Sequence, residues 1–391
     1  MMAAIEVSLP DEQGKTVLYR LKASPVPVPG APHVFNRVVF SAAHVVADPF
    51  AALEPALGSS IDWNSTIEFR RHLLDLGLGI AEAMDTAQRG MGLHWSGALE
   101  LIRHSLEAAS PHERERIYSG AGTDQLNPAD ARSIDDIVRA YLEQIEAIQK
   151  LDGRIVLMAS RALARIAKSS KDYELVYARV LSACDRPVIL HWLGDMFDPA
   201  LRGYWGSAAF EPALETALAV INANAAKVDG IKISLLDAAK EVQTRRLLPR
   251  SVKMYTGDDF NYCDLIKGDG LGFSHALLGI FDPIASAASA ALSALNRGDI
   301  AAYDRLLAPT VPLSKLIFRA PTQYYKTGVV FLAYLNGFQH HFVMIAGAQS
   351  MRPLPYFTNV FRLADEAGVL RDPELAADRM RRFLALHGVE G

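Results

Sequence analysis

The chain has very few cysteines and no surplus of positive charge. Of its 391 residues only Cys184 and Cys263 are cysteines, which excludes a disulfide scaffold and leaves no zinc-type cysteine pair. The formal net charge is -4, and this balance implies no broad basic surface. We therefore expect no nucleic-acid partner.

Long apolar runs are also missing. No stretch of about 18 uncharged apolar residues occurs, and the nearest candidate, 284–295, is short and rich in alanine and serine. The amino terminus, 1–6, lacks the basic region and the apolar run of a signal peptide. These absences predict a cytoplasmic globular protein without a membrane partner.

Sequence motifs for common cofactors are absent as well. No Gly-x-Gly-x-x-Gly follows the first predicted strand, so a nicotinamide cofactor is not supported. The segment Arg89-Gly90-Met91-Gly92 lacks the Lys-Ser/Thr end of a phosphate loop. We expect no cofactor.

Strand-like and helix-like segments alternate along most of the chain. Alternating apolar residues predict a β-hairpin within 4–22, before a connector that contains Pro25, Pro27, Pro29 and Pro32. Eight further strands are predicted at 34–41, 78–83, 116–120, 154–159, 187–192, 230–234, 252–256 and 271–275. Eight strands with helical crossovers predict an α/β fold, a TIM (β/α)8 barrel, with a doubly wound open sheet as the alternative.

The predicted elements also suggest how the chain is divided. Residues 1–32 form the hairpin and connector, residues 33–300 form the barrel, and residues 301–391 form an appended C-terminal helical region. That region is longer than a barrel needs for its last helix. We expect it to serve as an oligomer interface.

A lysine lies inside one of the apolar strands. In Val228–Ser234 the alternation places Ile231 and Ile233 on one face and Lys232 and Ser234 on the other. Both faces of a barrel strand are covered, and the desolvation of an ammonium group there lowers the lysine pKa. A neutral amine near pH 7 can form a Schiff base with a carbonyl group.

Four short motifs resemble the dihydrodipicolinate synthase and N-acetylneuraminate lyase superfamily of class I aldolases. In that family the sixth strand carries Gly-Ile-Lys with the Schiff-base lysine, which here is 230–232. The Pro-Val-Ile-Leu-Tyr type fifth strand matches 187–190, followed by His191. The Gly-Asp-Asp turn matches 257–259, and the Gly-x-Gly-x-x-Ser end of the eighth strand matches 270–274. The resemblance implies a barrel enzyme, catalysis by Lys232 without a metal, and a dimer or tetramer.

Two departures from the family pattern concern the substrate. The family tyrosine that relays protons is replaced by His191, which can act as an acid and a base. The family Gly-Thr-Thr-Gly-Glu segment, whose threonines hold the substrate carboxylate, corresponds to 83–90 with one threonine, Thr86, beside Asp85. An aspartate repels a carboxylate, so the sequence does not support pyruvate as the substrate.

The remaining candidate residues follow predicted strands, where barrel enzymes carry their substrate sites. They are Asp85 and Thr86 after the second strand, Gly122 and Thr123 after the third, Gly257 and Asp258 after the seventh, and Ser274 and His275 at the end of the eighth. Lys253 opens its strand at the opposite end of the barrel and is predicted to be structural. Helix caps and tight turns are the alternative roles of the candidate residues.

The preferred function is a class I aldolase or lyase that acts on a keto acid or a sugar-derived carbonyl compound. One alternative is a metal-dependent sugar isomerase or hydrolase whose candidate ligands are Glu82, His94, His191, Asp259 and His275. A second alternative is a non-catalytic protein that binds a small molecule.

Overall fold

The computed structural model describes residues 5–28, 30, 33–54 and 58–389. Pro29 and Pro32 of the predicted connector, and the side chain of Thr86, lie outside the described part. The chain divides into two compact units. The barrel unit comprises Arg37–Ala43 and Leu78–Gly279, and the helical unit comprises Met1–Asn36, His44–Gly77 and Ile280–Gly391.

Two strands of the helical unit form the predicted hairpin, and eight strands of the barrel unit form a closed barrel. The hairpin strands β1 (Glu6–Pro10) and β2 (Thr16–Arg20) pair antiparallel. The barrel strands are β3 (Val39–Ser41), β4 (Gly79–Glu82), β5 (Ile117–Ala121), β6 (Arg154–Leu157), β7 (Val188–Leu193), β8 (Val228–Ser234), β9 (Lys253–Thr256) and β10 (His275–Leu278).

The barrel strands are parallel and close in the order β10-β3-β4-β5-β6-β7-β8-β9. Helices connect consecutive strands, as parallel pairing requires. The predicted TIM barrel is confirmed, and the open-sheet alternative is wrong.

Sixteen α-helices lie in the described residues. Within the barrel unit these are α2 (Thr86–Arg89), α3 (Trp95–Ala108), α4 (Pro111–Arg114), α5 (Ile134–Lys150), α6 (Arg161–Ile166), α7 (Ser170–Ser182), α8 (Phe210–Ala223), α9 (Ala238–Leu247) and α10 (Tyr262–Lys267). Within the helical unit they are α1 (Trp63–Asp75), α11 (Ala285–Asn296), α12 (Ile300–Leu307), α13 (Val311–Ile317), α14 (Tyr325–Leu335), α15 (Leu354–Glu366) and α16 (Pro373–Leu386). Short 3-10 turns occur at Pro199–Leu201, Tyr204–Gly206, Ala225–Lys227, Ala308–Thr310, Thr322–Tyr324 and Ile345–Ser350.

Helix α5 illustrates how the local sequence directs the fold. The hydroxyl of Ser133 accepts the amide of Asp136 at 3.2 Å, and the Asp136 carboxylate accepts the amide of Ser133 at 2.9 Å. This reciprocal capping box satisfies backbone donors that the first turn leaves open. The helix then buries Ile137, Tyr141 and Ile145 at helical spacing against the barrel wall.

The eighth barrel strand begins later than the sequence predicts. The predicted segment 271–275 is mostly a turn, in which the Asp269 carboxylate accepts the amides of Leu271 and Gly272 at 3.2 and 3.1 Å. Gly268 and Gly270 adopt positive φ angles of 92° and 75°, which glycine tolerates and a regular strand excludes. Strand β10 therefore starts at His275, where the prediction has it end.

The interior of the barrel is filled by large side chains from alternate strand positions. Phe40, Tyr118 and Tyr255 form an aromatic layer whose ring centroids lie 4.9 and 5.9 Å from Phe40. Val156, Ile189, Leu277 and the two methionines Met84 and Met158 belong to the same cluster. The barrel is thus a packed core rather than a pore.

The helical unit has its own aromatic core. Phe331, Phe342, Phe357 and Phe383 pack with ring centroids 4.8 to 5.8 Å apart. Among the described residues, none of the helices combines the length and the apolar character needed to cross a membrane.

Candidate active site

Strands β7 and β8 place His191 and Lys232 side by side. The two residues are direct partners in the parallel register, and Lys232 is in turn the partner of Tyr255 on β9. Since partners in neighbouring strands face the same side and Tyr255 lies in the barrel core, His191 and Lys232 face the interior. Lys232 is 6% exposed and His191 is 2% exposed.

Gly257 leaves the space that Lys232 occupies. A Cβ atom at Gly257 would lie 2.7 Å from the Cε atom of Lys232 and 2.2 Å from the Oγ atom of Ser234. Any side chain there would displace the lysine or the serine. The structure thus brings predicted Gly257 directly beside predicted Lys232, immediately after β9.

The imidazole of His191 is neutral at physiological pH. Burial, together with the neighbouring positive charge of Lys232, holds the pKa of His191 well below its usual value. Its Nε2 atom lies 3.2 Å from the hydroxyl of Ser234, and its buried Nδ1 atom has no hydrogen-bond partner among the described residues. A neutral imidazole linked to a hydroxyl can accept and return a proton.

Asp85 and Thr86 lie between β4 and helix α2. Asp85 is buried, and its carbonyl oxygen accepts the amides of Gln88 and Arg89 at 2.9 and 2.8 Å, which starts the helix. Thr86 is the first residue of α2, and its side chain is outside the described part. Both residues therefore occupy the predicted position after the second barrel strand.

Gly122 and Thr123 lie after β5, as predicted. The Gly122 amide donates to the side-chain oxygen of Gln144 at 2.7 Å, and the Thr123 hydroxyl lies 2.6 Å from the hydroxyl of Ser160 after β6. Both residues line a cavity of about 220 Å³ at the carboxyl ends of these strands. The glycine-rich loop therefore borders open space.

Asp258 holds the turn between β9 and α10. Its carboxylate accepts the amides of Phe260 and Asn261 at 2.9 and 3.1 Å, and the Asn261 side-chain amide at 2.8 Å. Burial raises the pKa of Asp258, and these hydrogen bonds offset part of that increase. This carboxyl group is engaged by its own loop.

Ser274 and His275 lie at the amino end of strand β10, so their predicted position at its carboxyl end is wrong. The Ser274 hydroxyl donates to Glu241 at 2.6 Å, and the Nδ1 atom of His275 accepts the amide of Val38 at 2.9 Å. Burial and the positive charges of Lys253 and Arg37 lower the pKa of His275 to about 4. The prediction differs from the structure because residues 268–273 form a turn, and the strand starts only after it.

The candidate ligands of the metal-dependent alternative do not assemble. In the described ranges, no group of three or more His, Cys, Asp or Glu residues has the geometry to hold a metal ion. Glu82 instead accepts the Ser105 hydroxyl at 2.6 Å, and His275 opens β10.

Sequence reasoning missed three polar residues near the predicted ones. Ser234 contacts His191, which lies 43 positions earlier in the chain. The alternation of the strand places Ser234 on the same face as Lys232, and this is the available signal. Arg89 and Gln144 join the carboxyl ends of β4 and β5 through hydrogen bonds. No local pattern marks these two residues, because their partners are distant in sequence.

The aromatic residues at 192–205 pack among themselves. Trp205 is fully buried and stacks on Tyr177 with ring centroids 4.7 Å apart, and the hydroxyl groups of Tyr204 and Tyr177 lie 3.0 Å apart. Trp192 stacks on Phe210 at 5.7 Å. They form the packed base of the loop that follows β7.

Comparison with known families gives a match over nearly the whole chain. The sequence model of a family described as "Protein of unknown function (DUF993)" matches residues 7–389. A comparison with the curated proteins finds no match.

Solved structures of dihydrodipicolinate synthases share the fold. The enzyme from Acinetobacter baumannii, complexed with pyruvate, has a TM-score of 0.61 at 16% identity, and the alignment covers 86% of this chain and 100% of that one. The Thermotoga maritima enzyme has a TM-score of 0.61 at 15% identity and coverages of 85% and 99%. The Aquifex aeolicus enzyme has a TM-score of 0.59 at 12% identity and coverages of 90% and 98%. This chain therefore shares the barrel fold of these synthases.

Proposed function

Because this chain belongs to the DUF993 family, whose description assigns no activity, we propose its function from its own residues: it is a class I aldolase or lyase. Lys232 forms a Schiff base with the carbonyl group of a keto acid or of a sugar-derived compound. The observation that carries the proposal is the pairing of buried Lys232 with a neutral histidine inside a closed barrel.

The first chemical step joins the lysine to the substrate. The Nζ lone pair of Lys232 attacks the carbonyl carbon, a C–N bond forms, and the carbonyl oxygen takes up a proton to give a carbinolamine. Loss of water then produces an iminium ion. Ser234 and His191 move protons during this exchange, because Ser234 shares a hydrogen bond with the imidazole and lies beside the lysine.

The iminium ion then acts as an electron sink. When the adjacent C–C or C–H bond breaks, its electron pair moves into the iminium and forms an enamine. Cleavage, condensation and dehydration all pass through such an enamine. Burial and Lys232 keep the pKa of His191 low, so its imidazole is neutral before this step and has a lone pair that can take the released proton.

The proposal does not extend to pyruvate. In the resembling family, threonines after the second strand hold the substrate carboxylate, whereas this chain carries buried Asp85 at the corresponding position. A carboxylate beside a buried aspartate would be repelled. We therefore expect pyruvate to be trapped poorly, and a larger carbonyl compound that is also held by contacts beyond its reacting end to be trapped better.

Borohydride trapping tests the proposal directly. The protein is incubated with pyruvate, 2-oxobutanoate, 2-oxoglutarate and sugar-derived keto acids, reduced with sodium borohydride, and analysed by intact mass and peptide mapping. We expect a stable adduct on Lys232 with at least one probe other than pyruvate. An adduct on a different lysine, or binding of a probe without any adduct, would contradict the proposal, and the second outcome favours a binding protein.

We also propose that the chain assembles as a dimer or tetramer, as the family resemblance implies. Light scattering coupled to size-exclusion chromatography measures the mass in solution. A particle of the single-chain mass, 42.7 kDa, at micromolar concentration would contradict this assignment.

A further inference from the structure

A cavity of about 220 Å³ lies at the carboxyl ends of β5 and β6 in the barrel unit. Gly122 and Thr123 line it after β5, and Met158 lines it after β6. Met158 is also part of the packed barrel interior. The cavity therefore borders the barrel core at the end of the barrel where enzymes of this fold bind their substrates.

Two arginines line this cavity, and they differ in how many of their N–H groups form hydrogen bonds. All five N–H groups of Arg89 are occupied, by Asp124, Gln144 and the carbonyl oxygens of Ala83 and Gly120. Arg161 donates only from Nε, to the Asp198 carboxylate at 2.6 Å, and its guanidinium makes no further hydrogen bond with described residues. Its side chain is 40% exposed.

The Arg161 arrangement suits an oxyanion ligand. Asp198, whose side chain is 6% exposed, holds the Nε edge of Arg161 and thereby orders the guanidinium group. The two terminal nitrogens remain as the fork that matches carboxylate and phosphate oxygens. Asp124 does not oppose such a ligand strongly, because it is paired with Arg89.

We propose that Arg161 binds an oxyanion, a carboxylate or a phosphate, on the end of the substrate remote from the reacting carbonyl. This inference rests on the proposed function, because it takes the carbonyl end to be held at Lys232. It narrows the substrate class to keto compounds with an acidic tail. Arg161 is then the residue that determines this specificity.

Equilibrium binding to the Lys232→Met variant tests the inference without Schiff-base formation. Isothermal titration compares matched pairs with acidic and neutral tails: 2-oxoglutarate against 2-oxopentanoate, and 2-oxoadipate against 2-oxohexanoate. A further probe, 2-oxo-4-phosphonobutanoate, shows whether a phosphorus oxyanion is preferred to a carboxylate. We expect an acidic tail to lower the Kd by about tenfold or more, which corresponds to 1.4 kcal/mol.

The same titrations with Arg161→Gln decide whether the arginine is responsible. We expect the preference for the acidic tail to disappear in this variant and to persist in Arg165→Gln, a control on the same helix that donates to the backbone of 128–131. No preference in any pair, or a preference that survives Arg161→Gln, overturns the inference. A lower melting temperature with unchanged preference also overturns it, because Arg161 would then be only structural.

The two proposals fail in different ways. If a neutral-tail probe is trapped on Lys232 of the unmodified protein but no acidic tail is preferred, only the role of Arg161 is wrong. If acidic tails bind in an Arg161-dependent way but no probe is trapped, only the Schiff-base proposal is wrong.

Discussion

Lys232 and Lys253 lie on neighbouring strands, face the same side of the sheet, and belong to opposite ends of the barrel. In the register of β8 and β9, Lys253 is the partner of Gly230, two positions before Lys232. Lys253 forms an ion pair with Asp229 at 2.5 Å, and its side chain is 36% exposed. Lys232 is 6% exposed and packs beside His191 and Gly257.

The difference shows that strand position and neighbours, rather than inward direction alone, determine what a lysine can do. At the amino end, Asp229 accepts hydrogen bonds from both the Lys253 side chain and the Tyr255 hydroxyl, which gives Lys253 a structural role. At the carboxyl end, the neighbouring histidine is neutral and the adjacent glycine leaves space for the long side chain. The predictions below test this contrast.

The largest effect is expected from removing each lysine in turn. Lys232→Met should abolish the borohydride adduct, because the variant has no amine at the strand position that pairs with His191. Lys253→Met retains the adduct and lowers the free energy of unfolding by about 1 kcal/mol, as expected for a partly exposed ion pair. Intact mass and urea unfolding measure the two effects. If Lys253→Met lost the adduct while remaining folded, the contrast between the two ends would not hold.

The next largest effect is expected at Gly257. In Gly257→Ala the new Cβ atom collides with Lys232 and Ser234, so we expect adduct formation to slow about a hundredfold, equivalent to about 2.7 kcal/mol. Gly272→Ala is the matched control, because its nearest neighbour, the Nε atom of Arg245, would lie at an ordinary 3.6 Å. Trapping rates are compared at equal substrate concentration. Equal rates in the two folded variants would refute the proposed fit around Lys232.

Much of this barrel could be predicted from sequence because its signals are local. Lys232 alternates with apolar residues within one strand, and Ser133 and Asp136 cap α5 from three residues apart. These patterns depend on the geometry of one strand or one helical turn. They are therefore present in a single segment of the chain.

The parts that could not be predicted depend on distant partners or on backbone conformation. Arg89 donates hydrogen bonds to Asp124 and Gln144, which lie 35 and 55 residues away in the sequence. No periodic pattern in the sequence predicts such contacts. The segment 271–275 contains alternating apolar residues like a strand, yet Leu271 is 79% exposed because the Asp269 side chain closes a turn. Because of this turn, Ser274 and His275 lie at the amino end of β10 rather than at the predicted carboxyl end.

His275, at the amino end of the barrel strands, is expected to make the stability of the protein depend on pH. His275 has a pKa of about 4 when folded, against 6.5 for an unperturbed side chain, so the unfolded chain takes up the proton first on acidification. Its contribution to stability is present above pH 6.5 and is lost as the pH falls towards 4. Between pH 7 and pH 5 we expect a loss of about 2 kcal/mol from this group.

Urea unfolding at pH 7 and pH 5 measures that contribution. His275→Asn removes the titration while its side-chain oxygen can still accept the Val38 amide, so the pH dependence should become shallower. The exposed His112 in α4 provides the control, and His112→Asn should leave the dependence unchanged. Identical slopes for His275→Asn and the unmodified protein would show that this histidine is not held neutral by burial.

The smallest effect is expected at the hydroxyl of Ser234. Ser234→Ala removes the hydrogen bond to Nε2 of His191, so proton transfer during Schiff-base formation should slow by about tenfold, as expected for the loss of one hydrogen bond. Ser119→Ala is the matched control, since Ser119 is a buried strand serine whose hydroxyl has no hydrogen-bond partner among the described residues. Trapping rates measured across pH 5 to 9 distinguish a role in proton transfer from a role in packing. A uniform decrease at every pH, equal to that of Ser119→Ala, would mean that Ser234 takes no part in proton transfer and that Lys232 and His191 act without it.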